Sequence, residues 1–191
     1  MLSDFIFEAL LERISSFKQI TSIFTKRLRP LLTVREVVRG EILLRAGSRP
    51  DRLWFLHKGY AREVGHDEDD ERTSWFYFEN DFMLAYPSFF SQLPAFRDIE
   101  LLSEGTVVEI SYSSLILLRQ DFQELNIIID LARDHCESDR AKFASQMHTL
   151  TARERYEKFY QEHKALFNVA RHKDIANFLR IKSDGFRRYN H

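Results

Sequence analysis

Between Val34 and Ser111 the chain breaks into short β-rich runs: VREVVR, EILLRA, RLWFLH, YAREVG, TSWFYF, DIELLS and TVVEIS. Gly40, Gly47, Gly59, Gly65 and Gly105, five of the six glycines in the protein, lie at or near the ends of these runs. Many short strands at close spacing, punctuated by turn residues, call for a sandwich, jelly roll or barrel rather than an open parallel sheet. The charged run HDEDDER, His66 to Arg72, joins two of the runs and suits a solvated hairpin tip.

Helical periodicity flanks this region. Phe5, Phe7, Leu10, Leu11, Ile14 and Phe17 recur at helical spacing behind a capping Ser3. A second short helix is expected from Thr21 to Leu28, before Pro30. Downstream, Leu115, Leu118, Phe122, Leu125, Ile128, Ile129, Ala132, Cys136 and Phe143 recur at steps of three and four, with no proline or glycine from Ser113 to Met147. One small β-domain cannot cover a helix of that length. The pattern predicts one long helix that pairs with a second copy and bridges two domains.

The tail is lopsided in charge. Residues 151–191 carry ten cations and five anions, a net +5, so the rest of the chain is −6 within a total of −1. Any electrostatic function must therefore be local. In HKDIANFLRIKSDGFRRYNH, Ile175, Ala176, Phe178 and Leu179 suit a buried short helix, and Ser183 can cap a following one with Asp184 in its first turn. Phe186 then faces inward while Arg187, Arg188 and Asn190 point out; Lys173 and Lys182 add cations nearby. Two helices joined by a tight turn, the second short and basic, describe a helix-turn-helix, whose second helix enters the major groove. Two closing helices that merely show cations to water are the alternative.

Composition limits the remaining classes. With one cysteine, Cys136, there is no disulfide framework, and a cytoplasmic setting is expected. No segment approaches the roughly 18 apolar residues of a membrane helix, and the acidic start does not suit a signal peptide. Seventeen Phe predict an aromatic core. An enzyme is not expected: the β-region holds only His57 and His66, not at a cupin spacing. His135 and Cys136 point about 100° apart on a helix, so they do not easily share one ion. No cofactor and no metal are expected.

The ordered set — β-domain, long helix, basic helical pair — resembles the Crp/Fnr family of transcription regulators over essentially the whole chain. Val38–Val64 looks like the opening strands of that family's cyclic-nucleotide-binding-type jelly roll. ENDFMLAYPSFF and IELLSEGTVVEIS follow, then TARERYEKFY and HKDIANFLRIKSDGFRR, similar to the helix before the DNA-binding motif and the motif itself. The likeness is greatest to short members that end at the recognition helix and have a degenerate nucleotide pocket. It implies an α+β chain: a jelly-roll (double-stranded β-helix) sensor domain with N-terminal helices at 1–112, a dimerisation helix at 113–147 and a helix-turn-helix at 148–191. It also implies a homodimer, double-stranded DNA as partner and an unidentified small-molecule effector.

Departures from the family pattern sharpen the expectation. Leu84-Ala85 stands where cyclic-nucleotide binders carry Gly-Glu, the Glu taking the ribose hydroxyl. Pro94-Ala95 stands where they carry Pro-Arg, the Arg pairing with the cyclic phosphate. A buried phosphate without its cation is uncompensated, so cyclic AMP should not bind tightly. Arg97, two residues past Ala95, is the one nearby cation expected on the same strand face. Leu84, Ala85, Tyr86, Ala95, Arg97 and Asp98 are the candidate pocket residues. Phe82, Phe89, Phe90 and Phe96 should fill the core or the contact with the long helix, or line an apolar ligand pocket. In the tail, Arg188 matches the family's base-contacting Arg, Asp184 is a short version of its Glu, and Ser183 falls at a polar contact position. Arg187 is an extra cation. Arg180 replaces the turn glycine, and Gly185 weakens the second helix. The alternative is a ligand- or protein-binding jelly-roll module whose impaired motif no longer binds DNA specifically.

Overall fold

The computed structural model describes residues 2–67, 70–85 and 87–189. Two helices lead, α1 (Asp4–Ser15) and α2 (Ser22–Leu28), capped by the Ser3 and Thr21 hydroxyls. The strands follow: β1 (Leu32–Val37), β2 (Ile42–Leu44), β3 (Arg52–Lys58), β4 (Ala61–Asp67), β5 (Asp70–Tyr77) and β6 (Phe82–Met83). After a single helical turn, α3 (Ser88–Ser91), come β7 (Asp98–Leu101) and β8 (Gly105–Ser111). Helices α4 (Tyr112–Asp121), α5 (Glu124–Thr149), α6 (Ala152–Glu162), α7 (His172–Phe178) and α8 (Ser183–Tyr189) complete the chain.

The strands form two four-stranded antiparallel sheets, ordered β1-β8-β3-β6 and β2-β7-β4-β5. Consecutive strands alternate between sheets except along the β4–β5 hairpin, as in a jelly roll. Period-two geometry then sorts the side chains. Trp54, Leu56, Ala61, Tyr77, Met83 and Val107 meet between the sheets. Phe55, Val108 and Ile110 point the other way, against Phe7, Leu10 and Ile14 of α1 and Leu118 of α4. On the second sheet Phe76 points outward, into Phe159 of α6 and Phe178 of α7. The aromatic core that the composition suggested is thus split between the helical layer and the tail contact.

The expected single helix from 113 to 147 is two helices. At Phe122 the backbone turns extended, φ −133° and ψ 102°, which ends α4. The ring gains an edge-to-face contact with Phe24 of α2 at 5.3 Å. Burial against a neighbouring helix outweighs helix propagation at that one residue, although no proline or glycine marks the place. Helix α5 still has 26 residues, about 39 Å. Leu125 and Ile128 join the helical layer over the first sheet. Eighteen residues further, Phe143 stacks on Phe178 of the tail at 4.1 Å. The helix is a bridge between the two aromatic clusters.

Among the described residues no helix is long and apolar enough to cross a membrane.

Candidate functional site

The segment from Phe82 to Asp98 is built by β6, α3 and the start of β7, and its own backbone bonds close it. The Phe89 N–H donates to Ala85 O at 2.6 Å, and the Phe90 and Ser91 N–H groups donate to Pro87 O. Gln92 takes a left-handed conformation, φ 56°, and its amide donates to Phe89 O and Pro50 O at 2.7 and 2.9 Å. The Ala95 N–H donates to Ser48 O, and the Gly47 N–H donates back to Ala95 O, both at 2.8 Å. That reciprocal pair fastens the segment to the β2–β3 loop.

Ala85 and Ala95 are both buried in the cluster between the sheets, beside Met83 and Trp54, and Leu84 packs on the opposite, helical layer. Asp98 is nearly buried, and its carboxylate accepts from the Ala46 N–H at 2.6 Å, pinning the same loop. Tyr86 lies outside the described residues. The structure corrects two expectations. Arg97 does not share a face with Ala95: the chain bends at Phe96 and Arg97 before β7 begins, so period two does not apply. Arg97 instead lies 3.7 Å from the Glu63 carboxylate, half exposed. Phe96 fills no core and is 74% exposed, for the same reason, whereas Phe89 is fully buried and Phe82 and Phe90 pack against the helical layer.

The tail places α7 and α8 around a four-residue connection, Leu179 to Lys182. Arg180 sits at φ 53°, the left-handed conformation expected of a turn glycine. Lys173, Lys182 and Arg188 are exposed, and Phe186 is buried against Tyr156 and Phe167. The side chains of Ser183, Asp184 and Arg187, and all of Asn190, lie outside the described residues.

Three residues that hold this tail in place are not evident from the sequence. Arg155 of α6 donates to the carbonyls of Leu150, Leu179 and Arg180 at 2.8, 2.9 and 3.1 Å. One guanidinium thus ties the end of α5 to the turn between α7 and α8. Arg62 of β4 is buried, and reaches Glu100 at 2.7 Å, Glu71 at 3.2 Å and the Thr73 hydroxyl at 3.1 Å. It also lies 3.0 Å from Asp174, in the first turn of α7. Arg171 closes the cluster on Asp174 and Glu71; these two carboxylates hold its guanidinium protonated more firmly than usual, and Arg171 with Arg62 holds the Glu71 carboxyl below the ordinary range. The one advance signal is Asp174 itself, an acid set just before the apolar run IANFL.

Among the described residues no cluster of His, Cys, Asp or Glu could hold a metal ion. His135 lies 3.4 Å from Asp139, and Cys136 is a free thiol.

Residues 34–121 match the family of the cyclic nucleotide-binding domain. This part of the chain is a cyclic nucleotide-binding domain by fold. Solved structures extend the likeness beyond it. CLP of Xanthomonas campestris, described as a c-di-GMP responsive global regulator, superposes with a TM-score of 0.67 at 15% identity over 88% of this chain and 89% of its own. FixK2 of Bradyrhizobium japonicum gives 0.66 at 15%, over 83% and 82%. A putative cyclic nucleotide binding protein of Ruegeria pomeroyi gives 0.67 at 15%, over 98% and 86%. CLP and FixK2 are Crp/Fnr-type regulators. At such identities the likeness is one of fold. No curated protein matches the chain in sequence. The cyclic nucleotide-binding domain thus accounts for the β-region and α4, and Ala85 and Ala95 stand inside it with no charged side chain at either position.

Proposed function

We propose that this protein is a DNA-binding transcription regulator of the Crp/Fnr type, acts as a homodimer and does not respond to cyclic AMP. The sensor comprises residues 1–112, the dimerisation segment 113–147 and the DNA-binding module 148–191. The observation that carries this reading is the α7–turn–α8 pair. Arg180 takes the backbone conformation of a helix-turn-helix glycine, and Lys182 and Arg188 stand exposed beside it. Lys173, Lys182, Ser183, Asp184, Arg187, Arg188 and Asn190 are the proposed DNA contacts. The exposed Ile127 and Leu131 of α5 offer the apolar start of a dimer seam.

The lack of a nucleotide response rests on the filled interior. Where a cyclic phosphate would need a cation, Ala95 is buried and bonded at both backbone groups to the β2–β3 loop. A second reading, an interaction module without specific DNA binding, draws on Asp174. The first turn of α7 is committed to Arg62 and Arg171, which ties it to the sheet.

A mobility shift with promoter DNA at low salt separates the two readings. The regulator gives a shift whose log affinity falls steeply with log salt, because phosphate contacts release counterions. No shift, or a flat slope, supports the module. Calorimetric titration with cyclic AMP and cyclic GMP should show no micromolar binding.

A further inference from the structure

Along α5, between α1 and the first sheet at one end and β5, α6 and α7 at the other, runs a groove of about 520 Å³ to which the proposed function assigns no ligand. That volume falls in the ordinary range of small-molecule sites, about 300–1,000 Å³. Its walls are largely hydrocarbon and aromatic ring, with Ile14, Phe17, Phe82, Phe90, Ile129 and Ala132 among them.

One polar group on that wall keeps an enclosed donor without a hydrogen bond. Arg13 lines the groove, its guanidinium lying 4.8 Å over the Phe17 ring. Its Nε is enclosed and has no hydrogen-bond partner among the described residues. An enclosed donor on a cation is costly to leave unpaired, and structures seldom do so without a reason. Several neighbouring charges are already matched: Lys142 meets Asp139 at 3.2 Å, Arg140 donates to Glu63 at 3.0 Å and Arg133 meets Asp130 at 3.2 Å. Asp81 accepts the Phe78 N–H at 2.8 Å; burial raises its carboxyl above the ordinary range, and the nearby Arg13 charge opposes that without hydrogen-bonding to it.

A hydrocarbon slot with one guanidinium that keeps an unused enclosed donor suits an anion joined to a hydrocarbon chain. We propose that this groove binds a long-chain fatty acid, with its chain along the apolar wall and its carboxylate on Arg13. Such a ligand would lie against both α1 and α5, the helix that carries Phe143 to the tail. It stands independently of whether the tail binds DNA.

The test is titration of the full chain with oleate and with oleyl alcohol, both below their aggregation limits, read by native mass spectrometry and calorimetry. Oleate should bind saturably at one equivalent per chain. The Arg13→Gln variant should weaken oleate by roughly ten- to a hundredfold, the loss of one charge-assisted contact, and leave oleyl alcohol unchanged. Ala132→Trp should block both ligands, with an unchanged far-ultraviolet spectrum as the folding control. Arg13→Lys should recover part of the oleate affinity, because it restores the charge without the fork. No saturable oleate binding to the native chain overturns the proposal. So does Arg13→Gln binding oleate as tightly as the native protein.

Discussion

Arg62 of β4 and Asp174 of α7 lie 3.0 Å apart, their side chains 3% and 1% exposed. They join the β-domain to the tail by a charge pair that water does not reach. Around them Glu71, Glu100, Thr73 and Arg171 take the remaining donors and acceptors. Beside this polar patch, Phe76 meets Phe178 at 5.0 Å and Trp75 meets it at 6.1 Å. The aromatic contact supplies non-directional burial, and the charges set the register at which the tail docks.

Removing Asp174 takes one carboxylate from each of two cations at that contact, Arg62 and Arg171. Breaking a buried pair costs about 3–5 kcal/mol, and the low end applies because Glu100 stays 2.7 Å from Arg62. Asp174→Ala should therefore lower stability by about 3 kcal/mol, or about 6–12 °C in Tm for a chain of this size. The double variant Arg62→Met/Asp174→Leu should recover part of the loss, since it leaves no buried cation; Glu100, which loses Arg62, is partly exposed to water. Urea and thermal unfolding of both variants check this. Equal losses in the single and double variants would show that an uncompensated charge is not the cause of the loss.

Arg155 acts on a different joint. Its donors satisfy carbonyls at the end of α5 and at the α7–α8 connection, groups that a helix end leaves open. Arg155→Lys keeps the charge but not the planar fork, so it should restore little. Both Arg155→Lys and Arg155→Ala should speed hydrogen exchange at residues 179–182 and near Leu150 at least tenfold, about 1.4 kcal/mol of local stability. Exchange in β3 and β8 should not change. Uniform acceleration across the chain would point to global destabilisation instead.

The sequence made the β-domain legible because strands and turns carry local marks: alternation, glycine spacing, charged hairpin ends. Gly59 shows why the marks are physical, sitting at φ 111° beside the Ser103 turn. The left-handed backbone at Arg180 was legible only through the family resemblance, which puts a glycine at that turn position. What local pattern could not carry was anything set by distant partners. Phe122 ends α4 through Phe24, nearly a hundred residues earlier. Arg97 turns away from Ala95 at a bend that strand periodicity does not foresee. Arg62 alternates like any surface residue of an antiparallel strand, and only α7 makes it buried.

His163 gives the tail a pH dependence of definite sign. Its ring stacks on Phe78 of the β-domain at 4.1 Å, and burial lowers its pKa below the ordinary value of 6.5, against a smaller opposing effect of Glu162. The unfolded chain therefore binds a proton more readily than the folded one just below pH 6.5, so this group favours unfolding as pH falls through that window. The His163→Phe variant keeps the stack and removes the proton site. Between pH 7.5 and 5.5 the native protein should lose more stability in urea than the variant does. A native loss no larger than that of His163→Phe would assign the acid response to other groups.

Lys182 and Arg188 bear most directly on DNA. Both are exposed, one in the turn and one on α8. If each neutralises one phosphate, Lys182→Gln and Arg188→Gln should each reduce the log–log salt slope of binding by about 1. The control is Arg153→Gln on α6, whose guanidinium is paired with Glu157 at 2.7 Å. That variant should leave the slope unchanged. An Arg188 that reads a guanine edge, rather than a phosphate, behaves differently. Its loss would flatten the preference between cognate and scrambled duplexes by about 1–3 kcal/mol and leave the slope nearly intact. Comparing both duplexes at three salt concentrations thus assigns each side chain its role. Unchanged affinity in both variants would remove these two residues from the interface.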